Sequence, residues 1–207
     1  MVNKLVYTMI VLSILVLQAC NPKTLTDSEF VAYIDDTENG FVQEREFKDV
    51  KYSLKLEPAE YKAVKELKMT HTKITKLSFD SILKDYDGLY YFTFKIESIK
   101  STTESPIKSL AKSENDLARI NQYSLSMLQR DFYLESGDDK EDCILFHVED
   151  DHHISNYNII SLAFDVKKLD KNKDFAFVFN DPFFNSGLLK FNISKEMITK
   201  LPTLKFS

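Results

Sequence analysis

The sequence predicts an α+β fold, in which N-terminal helices and a few strands precede a C-terminal antiparallel β-sheet or small β-sandwich. Two observations lead to this prediction. Before residue 88, apolar side chains recur mainly at the spacing of amphipathic helices. After Gly137, the chain divides into four short strand-like segments separated by polar turns, which is typical of antiparallel strands. Helices and strands that are segregated along a chain favour an α+β class.

The first predicted element is a helix that begins after Thr26, because Glu29 follows this capping residue at the spacing of a capping box. Its apolar side contains Phe30, Val31 and Ile34. Asn39-Gly40 then indicates a turn. From residue 49 to residue 57, apolar and polar side chains alternate, and this period of two predicts a half-buried strand.

Pro58 begins the next predicted helix, because its fixed φ suits the first helical turn. The apolar face of this helix contains Tyr61, Val64 and Leu67. Another helical stretch runs from Ile74 to Leu83 and ends near Asp87-Gly88. Alternation from Leu89 to Ile99 then predicts a long strand.

A polar stretch that ends at Pro106 suggests an internal boundary. It would separate an N-terminal α+β region (27–105) from a C-terminal β-rich region (106–207), with a single compact domain as the alternative. Residues 107–121 carry a helical apolar stripe. Residues 123–135 fit either a continued helix or a strand, and we favour a strand from about Ser126.

The remaining chain is predicted to be mostly β. Gly137-Asp138-Asp139 indicates a hairpin-like turn. Strands are predicted at about 142–149, 159–166, 174–180 and 187–193. A short last helix begins at Ser194, continues to Thr199 and is closed by Pro202.

Residues 1–20 have the layout of a secretory signal peptide, with Lys4 before an apolar run that extends from Leu5 to Leu17. This run is shorter than the roughly 20 apolar residues that a bilayer-spanning helix needs. It ends in Leu17-Gln18-Ala19-Cys20, and this tetrad resembles the lipobox of bacterial lipoproteins. An ordinary signal peptide followed by a chance cysteine is the alternative.

The lipobox resemblance implies that residues 1–19 are removed, that Cys20 is acylated and that residues 20–26 form a lipidated tether. Two or more acyl chains would make membrane attachment stable, since each buried methylene contributes about 0.8 kcal/mol. Asn21 stands where an aspartate would signal retention in the inner membrane, and the tether lacks the acidic run that some bacteria use for surface export. The expected location is the periplasmic face of the outer membrane, with surface exposure as the alternative.

Composition limits the partners of the mature chain. Removal of residues 1–19 leaves 188 residues with 26 basic and 32 acidic side chains, a net charge of −6, because Lys4 is the one charged residue removed. The sequence shows no clustered basic face, so we expect no nucleic-acid partner. The four glycines are far apart in sequence, which argues against a phosphate-binding loop, and we expect no cofactor.

Cys143 would be the one cysteine left after lipidation of Cys20, in a compartment where paired cysteines usually form disulfides. It begins the apolar run Cys143-Ile144-Leu145-Phe146. We interpret it as a buried thiol that packs as a small hydrophobic group. A catalytic nucleophile is the alternative, and it would need a nearby base and an accessible site.

The densest polar cluster is Glu149-Asp150-Asp151-His152-His153, and His147 lies just before it. These three histidines are weak candidates for metal ligands. Neighbouring side chains on an extended chain point to opposite faces, so His152 and His153 would not easily share one ion. Cys143 and His147 would lie roughly 13 Å apart along a strand. We therefore favour a solvated loop and expect no bound metal.

Asp170, Asn172 and Asp174 match the opening of an EF-hand calcium loop, with Asp181 at the twelfth position. Phe175 replaces the glycine that permits the sharp turn, and the flanking segments are predicted strands. A polar hairpin turn is the favoured interpretation.

Phe183 and Phe184 are adjacent aromatic residues in a segment rich in turn-forming residues. Exposed aromatic side chains at a loop tip can anchor a protein partner, so these two are candidate partner-binding residues. The alternative is that one or both rings cover the end of the β core.

The lipobox resemblance, the composition and the motifs together leave three hypotheses for the function. The favoured one is a non-catalytic envelope lipoprotein whose domain contacts a protein partner, as an assembly subunit or as an inhibitor or immunity protein. The second is a lipoprotein that captures a ligand or a metal. The third is a hydrolase, although the chain has no G-x-S-x-G elbow and no Trp for a sugar platform.

Overall fold

The computed structural model describes residues 23–149, 155–170 and 173–206, and its fold is α+β, as the sequence predicts. These ranges contain five α-helices: α1 (Asp27–Asp35), α2 (Ala59–Met69), α3 (Lys76–Tyr86), α4 (Glu114–Ser126) and α5 (Lys195–Thr199). They also contain eleven strands: β1 (Thr24–Leu25), β2 (Val42–Phe47), β3 (Val50–Glu57), β4 (Leu89–Ser98), β5 (Phe132–Ser136), β6 (Asp139–Asp142), β7 (Leu145–Val148), β8 (Tyr157–Asp165), β9 (Phe175–Asn180), β10 (Leu188–Ile193) and β11 (Thr203–Leu204).

Helix α1 begins where the sequence predicts. The Thr26 hydroxyl accepts a hydrogen bond from the Glu29 backbone N–H, and the Glu29 carboxylate accepts one from the Thr26 N–H at 2.9 Å. This reciprocal pair satisfies two backbone donors that have no partner inside the helix. Thr75 and Ser78 make the same arrangement at the start of α3.

Two antiparallel sheets form a β-sandwich. The five-stranded sheet has the order β2-β3-β4-β8-β7, and the four-stranded sheet has the order β10-β9-β5-β6. Phe94 of β4 lies between them, with ring centroids at 5.4 Å from Phe132, 5.7 Å from Phe177 and 6.0 Å from Phe191. The core of the domain is therefore a layer of interlocked phenylalanine rings.

Strands from both sides of Pro106 share the five-stranded sheet. In the middle of this sheet, β4 pairs with β8 from Leu89↔Asp165 to Glu97↔Tyr157. The segments on either side of the suggested boundary are therefore joined by a continuous ladder of backbone hydrogen bonds.

The strand predicted from about Ser126 is wrong at its beginning. Helix α4 continues to Ser126, a 3₁₀ turn covers Leu128–Asp131, and β5 begins only at Phe132. The turn buries Leu128 completely and lets the Gln129 side chain donate a hydrogen bond to the Cys143 carbonyl at 2.7 Å. Because residues 123–135 fit both a helix and a strand locally, these long-range contacts determine where the helix ends and where the strand begins.

The strand predicted at 142–149 is shorter in the structure, where it is β7, and its first predicted residue, Asp142, ends a strand of the other sheet. β6 ends at Asp142 in the four-stranded sheet, and β7 begins at Leu145 in the five-stranded sheet. The chain crosses the sandwich edge at Cys143 and Ile144. The Gly137 turn before β6 is confirmed, since Ser136 and Asp139 pair directly across it.

The two ends of the described chain meet in a short parallel pair. Thr24 pairs with Thr203, and Leu25 pairs with Leu204. The Thr203 N–H donates to the Lys23 carbonyl at 2.9 Å. This pairing joins the segment predicted to be a tether to the segment that follows α5.

Helices α1 and α2 are linked to the outer face of the five-stranded sheet through Tyr61. The Tyr61 hydroxyl donates to Asp35 of α1 at 3.0 Å and also contacts the ammonium of Lys55 in β3.

Within the described residues, none of the helices combines the length and the apolarity that crossing a bilayer requires.

Candidate ligand-binding pocket

A pocket of about 880 Å³ lies between α3, the start of β9 and the segment from α5 to Phe206. Its wall is mainly apolar. The buried side chains in it are Leu56, Phe79, Val166, Leu169, Phe175 and Pro202. The volume falls within the roughly 300–1,000 Å³ that small-molecule sites occupy in proteins.

Aromatic contacts hold the pocket wall together. The Phe79 ring of α3 packs against Phe206, with their centroids 5.3 Å apart, and the Lys76 ammonium lies 5.7 Å from the Phe206 centroid. On another side, Tyr90 stacks on Phe175 at 5.1 Å. Residues far apart in sequence are therefore brought around one space.

The pocket wall carries charges of both signs. The charged side chains among its described residues are Lys76, Lys173, Lys195, Glu60, Asp80, Asp87 and Asp170. Lys76 pairs with Asp80 at 2.5 Å, and Lys173 pairs with Asp170 at 3.7 Å. Because neither sign dominates, the wall suits an apolar ligand with a neutral or zwitterionic head better than a strongly charged one.

Two tyrosines add hydroxyl groups to the wall. The Tyr86 hydroxyl donates to the Glu66 carboxylate at 2.6 Å. Burial, helped by that carboxylate, raises the pKa of Tyr86 above its ordinary value, and burial also raises the pKa of Tyr90. Both phenols therefore stay protonated at neutral pH.

Of the predicted metal-ligand candidates, His147 lies within the described residues. His147 is exposed on the edge strand β7, where its register partner is Ser161. His152, His153 and Cys20 lie outside the described residues. Across the described ranges, the structure brings no three His, Cys, Asp or Glu side chains together as a metal site.

The calcium-loop residues are separated by a strand. Asp174 accepts a hydrogen bond from the Lys195 backbone N–H and lies at the start of β9, while Asp181 follows the end of β9. The six residues of β9 place the two carboxylates roughly 20 Å apart, too far to bind one ion. An EF-hand interpretation is therefore wrong for this segment, and Asn172 lies outside the described residues.

Phe183 and Phe184 are half-buried, and their rings point to aromatic neighbours of the domain. Phe183 packs edge-on against Tyr123 at 5.9 Å, and Phe184 packs edge-on against Tyr52 at 6.4 Å. Both rings therefore cover the end of the β core at this loop, which is the arrangement stated above as the alternative to an exposed partner-binding site.

Asp181 organises that loop from the inside. Its buried carboxylate accepts hydrogen bonds from the backbone N–H groups of Phe183, Phe184 and Ser186, at 2.8 to 3.2 Å. The Ser186 hydroxyl at 2.6 Å and the Tyr52 hydroxyl at 3.0 Å are further donors. One carboxylate therefore satisfies five donors and fixes the path between β9 and β10.

Cys143 is buried where the chain passes from β6 to β7. Its thiol donates to the Leu145 carbonyl at 2.9 Å, and burial raises its pKa to about 12. A thiol of this kind is almost entirely protonated at neutral pH, and the thiolate is the nucleophile. The surroundings therefore match the interpretation of Cys143 as a packing residue.

We expect the Cys143 thiol to react with Ellman's reagent roughly a thousand-fold more slowly in the native protein than in guanidinium at pH 8. That ratio follows from the thiolate fractions at a pKa of about 12 and at the ordinary value near 8.5. The measurement is the absorbance time course under the two conditions. Native and unfolded rates within about tenfold of each other would show an accessible, activated thiol instead.

The pocket has no counterpart among the features that the sequence predicts. The sequence predicts a helix over Ser194–Thr199 that is closed by Pro202, but it predicts no element for the residues after Pro202. Phe206 is the residue that closes the wall against Phe79. A short amphipathic helix followed by apolar residues was the available signal, but the sequence does not show which surface they cover.

Comparisons with known proteins give a distant likeness. No family model matches the chain, and no curated protein matches it. Among solved structures, the chain is similar to the crystal structure of a DUF4426 family protein from Pseudomonas aeruginosa PAO1. The TM-score is 0.36 and the identity is 6%, over 74% of this chain and 91% of that chain.

Proposed function

We propose that this chain is a lipid-anchored envelope lipoprotein whose domain captures an amphiphilic small molecule in the pocket beside α3. The observation that carries the proposal is the volume of about 880 Å³, lined mainly by apolar side chains. Such a space, with a few polar groups in its wall, is the usual form of a small-molecule site. The anchor part of the proposal rests on the lipobox resemblance at Cys20.

The chemistry of the wall defines the ligand class. Its buried part consists of aliphatic and phenyl groups such as Leu56 and Phe79, which favour a hydrocarbon body. The pairs Lys76–Asp80 and Lys173–Asp170 offer donors and acceptors together. A single-chain lipid with a zwitterionic head would meet both requirements.

The pocket makes ligand capture better supported than the other two functions. The hypothesis that the sequence favours, contact with a protein partner, rests on the anchor, a foldable domain and the lack of a catalytic motif. Its candidate contact residues, Phe183 and Phe184, pack against Tyr123 and Tyr52. The thiol version of the hydrolase hypothesis relied on Cys143, whose raised pKa keeps it protonated. Ligand capture needs neither feature.

We expect lysophosphatidylethanolamine to bind the purified protein with one-to-one stoichiometry, and Leu83→Trp to weaken that binding at least about tenfold. Leu83 is a half-buried lining residue, and the larger indole would occupy ligand space. Native mass spectrometry in a mild non-ionic detergent measures the non-covalent adduct separately from the covalent anchor.

Leu125→Trp is the matched control, because Leu125 is 73% exposed on α4, which contributes no residue to the pocket wall. It should bind the lipid as the wild type does. Absence of the adduct from the wild type, or equal adducts in all three proteins, would refute ligand capture in this pocket. Thermal melts of the variants establish that each is folded.

A further inference from the structure

Exposed apolar side chains flank the connection between α2 and α3. Met69, the last residue of α2, is 76% exposed, and Leu77 in the first turn of α3 is 82% exposed. Leu77 follows Lys76, a residue of the pocket wall. The most exposed of these apolar side chains is therefore adjacent in sequence to a residue of the pocket wall.

Three lysines, Lys68, Lys73 and Lys76, flank these two residues in sequence. The set that we call the tether edge consists of Lys23, Lys68, Met69, Lys73, Lys76, Leu77 and Lys205. Contacts connect its members. Lys68 pairs with Asp27 at the start of α1, and Lys76 lies over the ring of Phe206. The pKa of Glu29 is lowered mainly by its hydrogen bonds with Thr26, and the charges of Lys23 and Lys205 lower it further.

The charge of the tether edge is opposite to that of the whole chain. Its five lysines face three acidic side chains, Asp27, Glu29 and Asp80, which leaves a local charge of +2, whereas the chain carries −5. Exposed apolar groups among lysines are the composition of a surface that binds an anionic lipid interface.

The chain outside the described residues leaves from the same edge. Lys23 is its first described residue, and its carbonyl accepts a hydrogen bond from Thr203, which lines the pocket. Cys20 lies three positions before Lys23, so an acylated Cys20 could lie no more than about 11 Å from Lys23 along an extended chain. A lipid anchor at that position would hold the tether edge against the bilayer.

We infer that the tether edge docks onto the anionic bilayer that carries the anchor, with Leu77 inserted among the lipids and the pocket rim at the membrane surface. This inference rests on the anchor that we propose at Cys20, and it adds an orientation that the anchor alone does not impose. A flexible tether without docking would leave Leu77 in water.

The chain contains no tryptophan, so Leu77→Trp places a single indole at the inferred contact. The lipidated full chain is reconstituted into vesicles of phosphatidylethanolamine and phosphatidylglycerol, with and without brominated acyl chains. We expect a blue-shifted emission and the loss of most of the fluorescence in brominated vesicles. Charge reversal at the exposed Lys73, Lys73→Glu in the same background, should reduce the quenching.

Leu125→Trp is the matched control and should emit as an indole in water, without quenching by the brominated lipids. Flotation measures how much protein is anchored, and thermal melts measure folding. Fully floated Leu77→Trp protein with the emission of Leu125→Trp would refute docking while leaving the anchor in place. Protein that does not float would refute both, whereas ligand capture is decided separately by the mass-spectrometric titration.

Discussion

Phe177→Asp is expected to abolish folding of the domain. Phe177 of β9 is fully buried, and its ring lies at 5.0 Å from Phe92, 5.8 Å from Phe132 and 6.0 Å from Phe164. Loss of the ring alone costs about 3–5 kcal/mol in a protein core. A carboxylate without a partner in that position adds a further several kcal/mol, so the total approaches the stability of a typical domain.

Circular dichroism and a thermal melt measure this effect, and two variants set its scale. Phe177→Leu keeps an apolar side chain and should fold with a lowered Tm. Phe146→Asp changes a half-buried residue on the edge strand β7, so it should cost less than Phe177→Asp. A Tm for Phe177→Asp within a few degrees of wild type would mean that the rings do not form the sandwich core described above.

Asp181→Ala is expected to lower the free energy of unfolding by at least about 3 kcal/mol, because it leaves five donors without their acceptor. For a chain of this length, that corresponds to a Tm decrease of roughly 6–12 °C. The affected donors include the Tyr52 hydroxyl in the core and the backbone of the Phe183–Ser186 turn. Chemical denaturation and thermal melts both report the change.

Asp131→Asn is the control for that variant. Burial is the main cause that raises the pKa of Asp131, and the negative charge of Asp181 acts in the same direction. The folded protein therefore accommodates the negative charge of Asp131 less well than water does, and because asparagine lacks that charge, the Tm should change little. Equal destabilisation by Asp131→Asn and Asp181→Ala would show that the loop does not depend on Asp181 in particular.

The sequence predicts an element correctly where its formation depends on residues that are close together along the chain. The capping residues Thr26 and Glu29 predicted the start of α1, and alternation predicted β3 and β4 almost to their ends. Each of these patterns lies within a few consecutive residues, so it can be recognised without knowing which distant segments pack against the element. The α+β class follows from their order along the chain.

Other features depend on neighbours that are distant in sequence. Leu128 would be buried in a helix or in a strand, so its apolar character could not show where β5 begins. The change of sheet at Cys143 depends on which strand edges are available, and no residue type marks it. Similarly, the pocket exists because the segment around Phe206 packs on α3, a contact that joins two ends of the chain.

The pairing of β4 with β8 also has a consequence for the order of events when the chain is made. The strand that pairs with β4, β8, and the strand that covers Phe92 and Phe94 from the other sheet, β9, are both synthesised much later. Folding rates fall as contacts become more distant in sequence, because the entropy of loop closure must be overcome first. The first half of the polypeptide thus cannot complete its sheet before residue 165 is available, and it cannot bury Phe92 and Phe94 before residue 180 is available.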